Sequence, residues 1–247
     1  MASWIYDSTF NGFLRLLFET ANFREEPESI EAEGEKQSFL FPPRAVGTDE
    51  KLAGAVGGVL RRRITARLFA RGYYAFLSSL ENREMAVYTY YRLAWELGAE
   101  ADGMLTDPRV APVHEASRAV LRERHRFLGL LRFMEIGDIL YAPFEPEGNI
   151  LPLIAGHFSA RLGREKWIIH DTRRGKAAVY TPRRWRIADF LLPEEITLSR
   201  KEEALRELWR QYFHSIAVRS RENPKLQRQF MPKKYWKHLP EKQPPPS

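Results

Sequence analysis

The sequence predicts an α+β protein, predominantly helical with a small, mostly antiparallel sheet. Apolar residues recur at helical spacing through most of residues 49–135. Past Asp138 the pattern becomes strand-like, with a hairpin-type turn at Arg173-Arg174-Gly175. Helices and short strands held in separate blocks argue α+β rather than alternating units. The expected organisation is one domain over residues 1–240, with a helical block at 49–135, a strand-rich block at 138–190 and a C-terminal helix with a basic–aromatic segment at 199–240. An acidic loop is expected at 24–37 and a disordered tail at 241–247.

Trp4 to Asp7 reads as a short strand, and Ser8 as the N-cap of a helix carrying Phe10, Phe13, Leu14, Leu17 and Phe18. The Glu-rich run Arg24 to Gln37 is poor in large apolar residues, hence the loop. Ser38 to Phe41 is apolar enough to add a strand, ended by Pro42-Pro43. Asp49 caps a helix through Leu60, and Thr65 opens a second with Leu68, Phe69, Tyr73, Phe76 and Leu77 on one side. Met85, Tyr88, Tyr91, Leu93 and Trp95 mark a third. Asp107-Pro108 is a start signal for a helix running toward Met134. Strands are then expected at Ile139–Phe144, Lys166–His170, Ala177–Tyr180 and Arg184–Ala188, with a short helix capped by Asn149 after the first of them. Ser199 caps an amphipathic helix to Ile216, whose Trp209, Tyr212 and Phe213 are expected in the core.

The 247 residues carry a formal net charge of +7, and the acidic residues of the first fifty make the remainder more basic still. A basic body favours polyanions such as nucleic acid or an acidic membrane surface, although many soluble proteins are mildly basic. Cysteine is absent, which excludes disulfides, thiolate nucleophiles and thiolate-held metal or iron–sulfur centres. MASWIYDSTF lacks the basic-then-apolar order of a signal peptide, and no apolar run is long enough to span a bilayer. A cytoplasmic protein without a membrane partner or a cofactor is expected.

The segment NPKLQRQFMPKKYWKHL, Asn223 to Leu239, interleaves cations with aromatic rings and contains no acid. Lys225, Arg228, Lys233, Lys234 and Lys237 suit phosphates; Tyr235 and Trp236 offer faces for bases; Gln227 and Gln229 can pair with base edges. The same segment could instead dock a final short helix on the body. On the helix after Pro108, His114, Arg118, Arg122, His125, Gly129 and Arg132 share a stripe bordered by Arg126. It reads either as a phosphate track or as a solvated face with Gly129 at a helix crossing. Arg173, Arg174 and Lys176 form a third basic cluster. Six histidines include no metal-ligand spacing. His125, His157 and Asp171 are the candidates for acid–base chemistry, against the alternative that Asp171 shapes a hairpin turn.

These residues resemble the uncharacterised bacterial family numbered 4130 among domains of unknown function, whose members carry the label of DNA metabolism proteins. Tyr6-Asp7, Thr9-Phe10 and Gly12-Phe13 are similar to its opening motif, with Ser8 where glycine is usual. His125-Arg126, Gly129 and Arg132-Phe133 match its helix segment. Leu151-Pro152-Leu153, His157-Phe158, Trp167-Ile168 and Asp171-Arg173-Arg174-Gly175 match its central block. Asn223-Pro224, Leu226 to Gln229, Met231-Pro232, Tyr235-Trp236 and Leu239-Pro240 match its C-terminal signature. The resemblance implies a companion of a radical S-adenosylmethionine (radical SAM) protein that modifies or repairs DNA. Any iron–sulfur cluster then belongs to that partner. The expectation is a DNA-binding protein of repair or base modification, using the stripe, the turn and the C-terminal segment together. The alternatives are an enzyme acting on DNA, a nuclease or a base-excision activity, and an adaptor with no DNA contact.

Overall fold

A computed structural model describes residues 2–23, 26–34, 42–191, 199–216, 218, 220 and 222–243. The chain divides into two compact units, residues 1–121 and 122–247, where the sequence pattern suggested one domain.

Unit 1 begins with β1 (Ala2–Tyr6) and α1 (Phe10–Phe23). Ser8 does not cap α1. Thr9 does: its Oγ1 accepts from Gly12 N at 2.9 Å, and Asp7 in turn accepts from Thr9 Oγ1 at 2.8 Å. Ser8 sits at φ 63°, the left-handed region that glycine enters without cost, so a glycine there suits the turn. Within the expected acidic loop, the described residues 26–34 are mainly a strand, β2 (Pro27–Ala32), with Ile30 and Ala32 buried. Its charges do not mark a solvent face: Glu28 is exposed, but Glu31 is buried between Ile30 and Ala32. β2 and β3 (Arg44–Val46) both pair with β1 in parallel, giving the order β2-β1-β3. The strand expected at Ser38 to Phe41 lies outside the described residues. α2 (Glu50–Ile64) is capped by Asp49, whose Oδ1 accepts from Leu52 N at 3.0 Å. α3 (Ala66–Phe76) and α4 (Arg83–Leu97) follow and bury Phe69, Tyr90 and Tyr91. Gly72 lies against the Tyr91 ring, where any side chain would collide. The unit boundary falls within α5 (Ala111–Leu130), which stops short of Met134 because β4 begins there.

Unit 2 holds a five-stranded sheet in the order β4-β5-β6-β7-β8. Its strands are β4 (Met134–Ile136), β5 (Ile139–Phe144), β6 (Lys166–Asp171), β7 (Lys176–Thr181) and β8 (Arg184–Asp189). It is mixed, since β5 and β6 are parallel while the other neighbours are antiparallel. The parallel pair arises because α6 (Leu151–Arg161) is a crossover helix between β5 and β6, as parallel strands require. Ile150, not Asn149, occupies the α6 N-cap, without a side-chain bond. Trp167 stacks on Tyr180 at 5.1 Å and both are buried under α6. α7 (Arg200–Ser215) is capped as expected, Ser199 Oγ accepting from Glu202 N at 3.1 Å. Its apolar residues are not core: Leu208 and Tyr212 are 61% and 53% exposed, and Trp209 39%. α8 (Pro224–Phe230) and two 3-10 helices (Lys233–His238 and Pro240–Lys242) complete the described part of the unit. Glu241, placed in the expected tail, is buried.

Candidate nucleic-acid interface

The carboxyl ends of β5 and β6 lie side by side, Phe144 opposite Asp171. Open sheets bind ligands beyond the carboxyl ends of parallel strands. Three segments meet here: the loop 145–148, the turn 172–175 and the 3-10 helix 233–238. Glu123 of α5 joins the loop to the 3-10 helix, and Arg174 joins the turn to the same loop. The Glu123 carboxylate accepts from Glu147 N at 2.9 Å, Gly148 N at 2.8 Å and the Tyr235 hydroxyl at 3.1 Å. Phe127 packs edge-on against both Tyr235 (4.8 Å) and Phe144 (5.0 Å). Tyr235 is therefore an anchor, only 5% exposed, and its ring is not offered to a base. Burial and the Glu123 charge push its phenol pKa up.

The cations at this edge are paired in two different ways. Arg174 binds Asp171 at 2.9 Å, donates to Pro146 O at 3.2 Å and also reaches Glu147 O. Asp171 is fully buried and accepts from the Arg173 and Arg174 amides at 3.1 and 3.2 Å, so it shapes the turn. Burial pushes its pKa up, with Arg174 and the amides acting against that. Arg132 likewise binds the buried Glu241 at 2.7 Å, and the Trp209 indole donates to the same carboxylate. Burial alone would raise the Glu241 pKa; Arg132, a backbone amide and Trp209 together hold it below the ordinary value. Breaking such buried pairs costs about 3–5 kcal/mol. The remaining pairs are Lys234–Glu147, Lys237–Glu145 and Lys176–Asp189, with acids 55%, 36% and 87% exposed. Pairs of that kind contribute roughly 0–1 kcal/mol and can yield to another anion.

The α5 stripe does not hold together as expected. His114 is buried in unit 1; its Nε2 donates to Asp102 at 3.1 Å and its Nδ1 faces Arg71 at 2.6 Å. Burial, then Arg71, lowers its pKa. Arg118, also in unit 1, donates to His114 O. In unit 2, Arg122 and His125 are exposed and Arg126 half-buried, without partners among the described residues. His125 lies about 200° around the helix from Glu123 and so points away from the loop. Nothing packs within 4 Å of the Cβ position at Gly129 among the described residues, although Leu205 and Trp209 of α7 line the same groove.

α8 is the opposite case from Tyr235. Asn223 caps it, Oδ1 accepting from Leu226 N at 3.0 Å, and Pro224 holds its first turn. It buries no residue. Lys225, Gln227, Arg228 and Gln229 are exposed, and Phe230 is 68% exposed. Trp236 is half-buried; its indole donates to Met231 O, and Lys233 and Lys242 lie over its face at 6.0 and 4.9 Å.

The proposed acid–base residues are not brought together. His157 is exposed on α6 and meets Phe158 edge-on, and no hydrogen bond joins it to His125 or Asp171. Two other histidines do flank the edge: His170, whose Nδ1 is 2.7 Å from the Tyr141 hydroxyl, and His238, whose buried Nε2 has no hydrogen-bond partner. Burial lowers both of their pKa values and lifts Tyr141 to about 12. Among the described residues no cluster of His, Asp or Glu could hold a metal ion. Sequence reasoning passed over Glu123, Glu145, Glu147 and Glu241. Glu123 alone carried a signal, as a carboxylate between Val120 and Phe127 on the apolar side of its helix.

Fold and site together define a two-unit α+β protein whose second unit carries a basic sheet edge and a projecting cationic helix. The chain belongs to the family described as domain of unknown function DUF4130, which matches residues 81–241. The opening motif at Tyr6 to Phe13 lies outside that match. No curated protein and no solved structure matches the chain. No described helix is long and apolar enough to cross a membrane.

Proposed function

We propose that this protein binds DNA through unit 2 and serves repair or base modification as the companion of a radical SAM enzyme. The supporting observation is α8, a capped helix that buries nothing and carries cations, amides and an exposed phenylalanine into solvent. The contact set is Lys225, Gln227, Arg228, Gln229 and Phe230 of α8, with Lys233, Lys234 and Lys237 of the following 3-10 helix, and Arg173 of the turn. Phe230 takes the stacking role first given to Tyr235. Arg122 and Arg126 extend the surface; Arg132, Arg174 and Asp171 are structural. The radical SAM partnership rests on the sequence resemblance alone.

Fluorescence anisotropy with labelled single- and double-stranded oligonucleotides tests the reading. Binding should weaken steeply with salt, log K falling by about 0.7–0.9 per phosphate contacted per decade of salt. Lys225→Glu/Arg228→Glu should weaken it at least tenfold, and Phe230→Ala should weaken single-strand binding most, since a stacked base contributes about 1–3 kcal/mol.

The exposed apolar residues of α7 favour a second reading, an adaptor that contacts protein only. An adaptor gives no oligonucleotide binding even at low salt.

A further inference from the structure

At the opposite end of the sheet lies a basic surface that none of the preceding roles uses. The β7–β8 hairpin closes through Pro182-Arg183, because Thr181 pairs with Arg184 across it. Arg183 stands at φ 86°. A turn with proline first and positive φ second is the type that favours glycine at the second place. A strained residue there is a pointer to function, since the chain bears the cost of an arginine at the tip. The hairpin is tied to the end of α6 by the Tyr180 hydroxyl, which donates to Gly163 O at 3.0 Å and accepts from Arg183 N at 3.1 Å. That tie sets Arg161 and Arg164 beside the tip. Behind it, β8 is the edge strand; Trp185 shares the α6 side of the sheet with Tyr180, while Arg184 and Arg186 lie on the other face.

Arg161, Arg164, Arg183, Arg184 and Arg186 are all exposed, and none has an ion-pair or hydrogen-bond partner for its side chain among the described residues. Glu165 sits among them, so the patch is strongly but not wholly cationic. Register places Trp185 opposite Tyr180, which stacks on Trp167, so Trp185 ends a row of aromatic residues and is 36% exposed.

We propose that the hairpin tip and the end of α6 form a second nucleic-acid surface, in which Arg161, Arg164 and Arg183 grip the backbone of a single strand and Trp185, on the same side of the sheet as α6, receives a base. It rests on the nucleic-acid reading of unit 2 but not on α8. An edge strand can also carry arginine simply to prevent pairing with other sheets, and the experiment separates the two.

The test uses the full chain and a labelled single-stranded 20-mer of mixed sequence. Arg161→Glu/Arg164→Glu/Arg183→Glu should weaken binding at least tenfold at 100 mM salt and reduce the salt slope by about 2, the value for three lost contacts to a single strand. Arg183→Gly should raise the melting temperature by about 2–4 °C while weakening binding severalfold. A purely structural arginine cannot give that opposed pair of changes. If the triple variant binds as wild type while Lys225→Glu/Arg228→Glu does not, this surface is refuted and the α8 reading stands. If wild type binds no oligonucleotide, both fall. If it binds only vesicles of anionic phospholipid, the patch is a lipid contact and the proposal is overturned.

Discussion

The two arginine-bearing turns of unit 2 sit at opposite ends of β7 and have opposite fates. At 172–175, Arg174 is locked to a buried aspartate and to backbone carbonyls. At 182–183, Arg183 stands at a strained tip with nothing to pair with among the described residues. In sequence the first looked the more functional, with a histidine, a carboxylate, two arginines and a glycine in a row. The difference is the carboxylate. Asp171 next to a turn satisfies the turn's own amides and captures the nearest guanidinium; Thr181-Pro182 supplies no such acceptor. A basic cluster is available to a ligand only when the fold has not already spent its charge.

Removing the captor should produce the largest effect. Asp171→Ala strands Arg174 and two amide donors and should cost about 3–5 kcal/mol of stability, read by urea denaturation. A loss under 1 kcal/mol would mean the turn is not held as described. Glu123→Ala should follow at about 2–4 kcal/mol, since it unsatisfies two amides and the Tyr235 hydroxyl, with the near-ultraviolet circular dichroism changing as the 3-10 helix that carries Tyr235 and Trp236 detaches. An unchanged spectrum would contradict the anchor.

Acid should also loosen this unit. Burial lowers the folded pKa values of His170 and His238, so their neutral forms favour the fold. That contribution is complete above the ordinary histidine pKa of about 6.5 and is lost as pH falls through the lowered values. The melting temperature should fall between pH 7.5 and 5, and His238→Gln should flatten the fall. The smallest effect belongs to the exposed pair: Lys176→Ala should change stability by less than about 0.5 kcal/mol, and a larger change would place Lys176 among the structural cations.

Much of the fold was legible in the sequence. The caps at Asp49, Thr65 and Ser199 and the strands β5 to β8 follow from local patterns that the structure reproduces. What local pattern does not carry is pairing. The parallel partners of β1 come from a segment that reads as a charged loop and from three residues behind two prolines. The β5–β6 pair is parallel only because α6 crosses between them. The candidate site was legible as composition and not as availability. Tyr235 and Phe230 are both aromatic neighbours of lysines, yet one meets Phe127 and Glu123 while the other meets solvent. No residue-by-residue reading separates them without knowing what lies opposite.

The salt dependence of single-strand binding by the unmodified protein tests the central claim most directly. Unpaired cations gripping phosphate require log K to fall linearly with log salt, with a slope near −4 for about six contacts. Absence of binding at 50 mM salt, or binding indifferent to salt, would contradict the account.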